Sequence, residues 1–194
     1  MAINDHPLSL KPENMEWGST KAGVQFRSPF DASVEAIEFP GEFWTLAIGY
    51  PPMFDSDSGL LDSFWSFMAG GSNKVRVWHF KRPVPLGSMR GLPTLAVSVA
   101  RGALSLQITT DGGLKAGDFF KIGNQLFRAL FDCDAVGGVL TVQLVQRVRA
   151  ALSAGASVQW DRPTATFIFP SKSFSMAFAS GVTGRVQVDL VESP

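Results

Sequence analysis

The chain has 194 residues, enough for one large domain or two small ones. It is 45% apolar but only 18% charged, below the usual quarter, so much apolar surface has to be covered, either inside the chain or against other chains. Seventeen basic and seventeen acidic side chains cancel; nucleic acid and anionic membranes select for a basic excess, and neither partner is expected.

Sixteen Phe and five Trp against one Tyr suit cores and interface pockets better than adaptable recognition surfaces. The lone Cys133 excludes an intrachain disulfide framework. The opening MAINDHPLSLKPEN has no basic region followed by an apolar run, so no signal peptide is expected. No run of about 18 apolar residues occurs, so no membrane-spanning helix is expected.

Residues 1–16 are polar and irregular, and read as an arm or a loose first strand. Val24–Arg27 and Val34–Phe39 read as strands, closed by Ser28-Pro29 and Pro40-Gly41. Phe43–Tyr50 is a stronger strand, ended by Pro51-Pro52, which cannot continue a ladder. Leu60, Leu61, Phe64, Trp65 and Met68 then recur at helical spacing. This spacing predicts a helix over 58–69, with N-cap oxygens among Asp55–Ser58 and a stop at Gly70-Gly71. Val75, Val77 and His79 then alternate with Arg76, Trp78 and Phe80 as a strand again. A helix with one apolar stripe has to lie on a sheet.

Pro83–Pro93 is rich in Pro and Gly and marks a boundary. Beyond it short β runs arrive every eight to twelve residues: Leu95–Ala100, Ser105–Thr109, Phe119–Ile122, Leu126–Asp132, Val139–Val145 and Ala156–Trp160. That rhythm indicates a small barrel or sandwich. Gly137-Gly138 suits a two-residue hairpin turn, because both positions can take positive φ. Gln146–Ala154 reads as a loop with at most one helical turn. Ala165–Phe169, Phe174–Ala179 and Arg185–Leu190 complete the strands. Residues 24–82 alone are thin for a sandwich. The expected fold is therefore mainly β. A β-sandwich with one packed α-helix takes 1–88 and 162–194, and a small β-barrel or sandwich over 89–161 is inserted in it.

Chemistry is sparse. Two histidines and one cysteine without ligand spacing give no basis for a zinc site. Asp55-Ser56-Asp57-Ser58-Gly59 resembles the start of a calcium loop, but its glycine comes early and Ser66 stands where a bidentate Glu belongs. There is no nucleophile elbow, and a Ser-His-Asp set would have to use His6 or His79. Cys133 reads as a small buried hydrophobe flanked by Asp132 and Asp134. No Gly-rich phosphate loop is present. The pairs Lys74/Arg76, Lys81/Arg82 and Arg147/Arg149 read as solvated faces or subunit contacts. No enzyme and no cofactor is expected; an assembly subunit is.

A resemblance sharpens this expectation. Trp17, Gln25-Phe26-Arg27-Ser28-Pro29-Phe30 and Phe39-Pro40-Gly41 before Trp44 resemble the N-terminal domain of distal tail proteins of long-tailed bacteriophages. The likeness continues through Trp44–Tyr50, Leu60–Gly70, Val75–Phe80 and Pro85-Leu86-Gly87. Lys115–Arg128 resembles the hairpin of their inserted β-domains, and Ser173–Val191 resembles the return to the first domain. The chain departs from the pattern at Ala32, where Gly is expected, and in the long acidic-serine stretch before the helix.

Such proteins form a ring of six at the tip of the tail tube, join it to hub or fibre proteins, and leave a channel for DNA; their inserted domain is often a small OB-like β-barrel, which the resemblance implies for 89–161. The resemblance therefore implies a virion protein of the phage tail tip, a homo-oligomer whose partners are the tail tube and hub or fibre proteins. In a cyclic ring each subunit offers two different patches. The interface candidates on this basis are Met53, Phe54, Trp78, Phe80, Lys81 and Arg82, with Trp78 and Phe80 equally readable as core. The alternative is a carbohydrate-binding or hydrolytic β-protein acting at a host cell surface. Trp160 is the one Trp of the insert, and the insert has no Tyr, so no aromatic sugar platform is evident.

Overall fold

The computed structural model describes residues 2–21, 23–31, 33–38, 41–179 and 182–193. The motif residues Phe39 and Pro40, and the departure at Ala32, lie outside them. In chain order the elements are β1 (Ile3–Asp5), β2 (Asn14–Thr20), β3 (Gly23–Arg27), β4 (Val34–Glu38), β5 (Phe43–Tyr50), α1 (Asp55–Met68), β6 (Lys74–Trp78), β7 (Thr94–Leu95), β8 (Ser105–Thr109), β9 (Phe119–Ile122), β10 (Gln125–Arg128), β11 (Val139–Gln143), β12 (Val158–Gln159), β13 (Thr164–Ile168), β14 (Phe178–Ala179), β15 (Val182–Thr183) and β16 (Val186–Glu192). The protein is mainly β with one helix among the described residues, and none of the sheets they form closes into a barrel.

Two compact units divide the chain. Unit 1 comprises Met1–Gly18, Trp44–Phe80 and Thr164–Pro194; unit 2 comprises Ser19–Phe43 and Lys81–Pro163. Unit 1 contains a six-stranded sheet in the order β1-β6-β13-β16-β5-β2. Its strands alternate because one face is buried. Trp44, Leu46, Ile48 and Tyr50 of β5 are fully buried, as are Val75 and Val77, Ala165 and Phe167, and Val188 and Leu190 on the neighbouring strands. Helix α1 covers this face: Trp65 meets Tyr50 at 6.4 Å between ring centroids and Phe169 at 5.9 Å.

The helix begins three residues earlier than its composition suggests. Phe54, in extended conformation, is the N-cap and makes no side-chain cap bond. Its carbonyl accepts the N–H groups of Asp57 and Ser58, so the first turn closes on backbone, with Asp57 inside it where the helix dipole favours a carboxylate. The buried stripe is Ser58, Leu61, Trp65 and Met68, at steps of three, four and three. Leu60 is not part of it and stays 40% exposed, because it lies seven residues from the exposed Phe67 on the outer side. Gly70 and Gly71, both at positive φ, turn the chain away, and the Gly70 N–H is taken by the Ser171 carbonyl.

The N-terminus is not a loose arm. β1 pairs in parallel with β6, His6 and Leu10 are buried, and the Glu13 N–H reaches the Gly49 carbonyl.

Unit 2 builds its core from two three-stranded sheets, β10-β9-β12 and β11-β8-β7. Met89, Ile108, Phe120, Phe127, Leu140 and Val142 belong to one buried cluster. Phe120 and Phe127 stack across the hairpin turn at Gly123-Asn124. Gly137 and Gly138, at φ +61° and +78°, make the two-residue turn between Val136 and Val139. Residues 146–154 hold no helical turn. They run beside 99–103, with the N–H groups of Val148 and Leu152 bonded to the carbonyls of Ala103 and Val99.

Two backbone stretches of unit 2 touch where side chains would not fit. A Cβ on Gly112 would lie 2.5 Å from the Ser88 carbonyl oxygen and 2.6 Å from the Met89 Cα. Backbone cannot swing aside as a flexible side chain can, so Gly112→Ala is expected to destabilise unit 2 by roughly 1–3 kcal/mol. Urea titration followed by tryptophan fluorescence measures it; an unchanged midpoint would mean that the 87–89 and 112–114 segments are not this close in solution.

Candidate functional site

Among the described residues no group of three or more His, Cys, Asp or Glu could hold a metal ion. The titratable groups singled out from the sequence have structural partners instead. Asp132 accepts the Ala116 N–H at 2.8 Å and pairs with Lys115 at 3.1 Å; these bonds hold its carboxyl below the usual range. Burial pushes the half-buried Cys133 thiol up, and the nearby carboxylates act in the same direction, so the site favours thiol over thiolate. His79 packs against Trp17 at 5.5 Å between centroids.

Asp118 is the polar residue that the sequence did not single out. Its carboxylate is buried and accepts three backbone N–H groups, from Leu86 at 2.8 Å, Gly87 at 2.9 Å and Lys115 at 2.7 Å. It ties the Pro85-Leu86-Gly87 loop to the turn before β9. Arg90 completes that loop. Its guanidinium donates to the carbonyls of Pro85, Gly87 and Met89 and lies 5.1 Å over the Trp160 ring, whose indole N–H is held by the Gly91 carbonyl. An open cleft of about 580 Å³ beside it is lined by Ser88, Arg90, Leu92, Thr109 and Asp111. The Ser88 hydroxyl there accepts the Gly113 N–H. These groups hold the loop together, which is a fold role.

The six interface candidates separate by burial. Met53 lies in the core, and its N–H and carbonyl are both bonded to Thr183. Phe54, at the start of α1, is 74% exposed. Trp78 and Phe80 are half-buried and meet edge-on at 4.7 Å, and Phe80 also touches His6 at 5.3 Å. Lys81 is exposed. Arg82 is committed to the Gly117 carbonyl at 2.8 Å. Phe54 and Lys81 are the outward-facing members of the set.

The main outward apolar feature lies elsewhere. β3 and β4 form a two-stranded ribbon of their own. Val24 faces Ile37 and Phe26 faces Glu35 across it, so Val24, Phe26 and Ile37 share one side with Glu35. Phe26 is 56% exposed and Phe30, at the tip, 97%. The tip is ordered by local bonds: the Ser28 N–H meets the Ser33 carbonyl, and the Asp31 carboxylate accepts the N–H and hydroxyl of Ser33. Hydrogen bonds from Ser28 and Ser33 hold the Asp31 carboxyl down at about 2, so the tip keeps its negative charge at all ordinary pH. The sequence marks both strands; it carries no sign that their apolar side chains stay exposed.

No protein-family profile matches this chain, and no curated protein matches it.

Asp118 and Lys115 offer a contrast in energetics. Asp118→Ala leaves three N–H groups, one of them buried, without their acceptor and is expected to cost on the order of 2–4 kcal/mol. Lys115→Ala removes one exposed pair and should cost under about 1 kcal/mol. Thermal and denaturant unfolding of the two variants measure the difference; equal losses would show that the Asp118 bonds are not what holds the loop.

Proposed function

We propose that this protein is a structural subunit of a bacteriophage tail tip, assembling into a ring of six that joins the tail tube to hub or fibre proteins and leaves a channel for DNA. On this proposal unit 1 is the sandwich-and-helix ring domain, and the 81–163 part of unit 2 is the OB-like insert. The phage assignment draws on the sequence motifs; the β3–β4 ribbon is the structural observation that carries the oligomer. An isolated two-stranded ribbon is marginal in water. This one also turns Val24, Phe26, Ile37 and the tip Phe30 to solvent. Covering those four side chains is worth on the order of 5 kcal/mol per subunit, enough to order the ribbon and bind a neighbour at once. A ring suits it, because in a cyclic assembly an arm of one subunit meets a different surface on the next. Such a role needs complementary surfaces alone and calls for no catalytic group.

Light scattering on the purified chain at micromolar concentration tests the proposal. The expected species is six copies of 20.9 kDa. Phe26→Ser with Ile37→Ser should return it to monomer while leaving the melting of the two units unchanged. A wild-type chain that stays monomeric up to about 100 μM would count against the ring; a glycan-dependent rise in its melting temperature would then favour the carbohydrate-binding alternative.

A further inference from the structure

Residues 2–10 tie down one edge of unit 1, and one buried titratable side chain, His6, sits at the centre of that contact. The Lys74 N–H bonds the Ala2 carbonyl and the His6 N–H bonds the Arg76 carbonyl, bracketing the parallel β1–β6 pairing. Three paired residues at a sheet edge hold little by themselves. The anchor comes just after them: His6 is buried in a cage of four aromatic side chains, and Leu10 is buried beyond it. The His6 ring lies parallel to Tyr50 at 6.2 Å and meets Phe64, Trp65 and Phe80 at 6.1, 6.4 and 5.3 Å. Its Nε2 is 2.7 Å from the Tyr50 hydroxyl.

Among the described residues no carboxylate pairs with this imidazole. β5 presents Tyr50, the helix presents Phe64 and Trp65, and the chain after β6 presents Phe80. The charged pair of β1 and β6, Asp5 and Arg76, is closed on itself at 2.8 Å on the exposed edge. An imidazolium at this position would lose its hydration without gaining an anion.

We propose that residues 2–10 are an acid-released latch: neutral His6 holds β1 on the edge of β6, and protonation of His6 lets the segment detach while the rest of unit 1 stays folded, opening the β6 edge to pairing with another strand. The proposal does not depend on the phage assignment.

Burial, partly offset by the Pro7 carbonyl, lowers the His6 pKa to about 4 from 6.5. The detached segment binds its proton first, so the attached state is favoured fully above pH 6.5 and loses its advantage as pH falls toward 4. The opening equilibrium should rise about 60-fold between pH 7 and pH 4.5.

Residue-resolved hydrogen exchange, corrected for intrinsic rates, reads it directly. The His6 and Lys74 amides should lose protection by that factor over this range, while the β5–β16 ladder keeps its protection. His6→Phe keeps an aromatic ring in the cage but cannot ionise; exchange at this edge in the variant should be flat with pH. Two results would overturn the latch. One is β1–β6 and β5–β16 amides losing protection together, which is global unfolding. The other is wild-type protection that does not change, as it would if the aromatic faces held the imidazolium by cation–π contact. Should the variant not fold, an NMR titration of His6 in the wild-type chain decides: a midpoint well below that of a free imidazole is expected, and one at or above about 6 rejects the proposal.

Discussion

The alternation of β5 is the constraint on which unit 1 depends. One side of the strand carries Trp44, Leu46, Ile48 and Tyr50, all buried; the other carries Thr45, Ala47 and Gly49. A one-residue slip in register would put three small residues against the helix and four large ones outside, so pairing with β16 is tightly specified. The small outer row matters as much as the large inner one. A Cβ on Gly49 would collide with the Asn14 side chain, and one on Gly18 would lie 2.6 Å from the Thr45 hydroxyl. Glycine at both contacts leaves room for the Asn14 amide and the Thr45 hydroxyl where β2 meets β5. The ends of β5 are tied as well. Glu192 accepts the Trp44 N–H at 2.8 Å, and Tyr50 meets both Trp65 and His6.

Unit 2 meets the same stability problem with different means. The strands of its two three-stranded sheets are two to five residues long, too short for alternation alone to fix the fold. Polar pins do the remaining work. Asp118 gathers three N–H groups and Gln125 bridges the Arg147 carbonyl and the Arg149 N–H, so loops that contain no ladder still have their backbone groups bonded. The glycines at 87, 112 and 113 let these loops approach backbone to backbone. The burial of Asp118 has its reason here: a carboxylate is a short side chain with enough acceptor sites for three donors.

How much of the fold is legible in the sequence depends on the range of the forces involved. β5, β6 and β16 announce themselves by alternation, and α1 by its Leu61–Trp65–Met68 spacing, because local periodicity reports a buried face. The Gly137-Gly138 turn is readable because glycine takes positive φ there without strain. The start of α1 is misread because Asp55–Ser58 look like caps, whereas the extended Phe54 backbone closes the first turn. Leu60 looks like part of the buried stripe because adjacent Leu60 and Leu61 both fit a helical period; burial of Ser58 shows which one faces the sheet. β1 is only loosely legible, as one of two readings of residues 1–16, because three residues show no period and their parallel partner is about seventy positions away. Asp118 is hidden for a similar reason. Its donors at Leu86 and Gly87 lie 32 and 31 residues upstream, and nothing local marks a carboxylate as a hub.

The low charge of the chain goes with large apolar side chains both in its two cores and on its surface. Both units have cores rich in large apolar side chains. Yet Phe26, Phe30 and Ile37 on the ribbon, Phe54 before the helix, and Leu92 and Val136 in unit 2 remain mostly exposed. Scattered apolar residues on a surface need no explanation. A ribbon is different, because two strands with an exposed apolar side lack the second layer that would stabilise them. Its order and its coverage are therefore one equilibrium. On the proposed assembly, whatever covers Val24, Phe26 and Ile37 would also complete the fold of the ribbon, so association and the last step of folding would be linked by mass action.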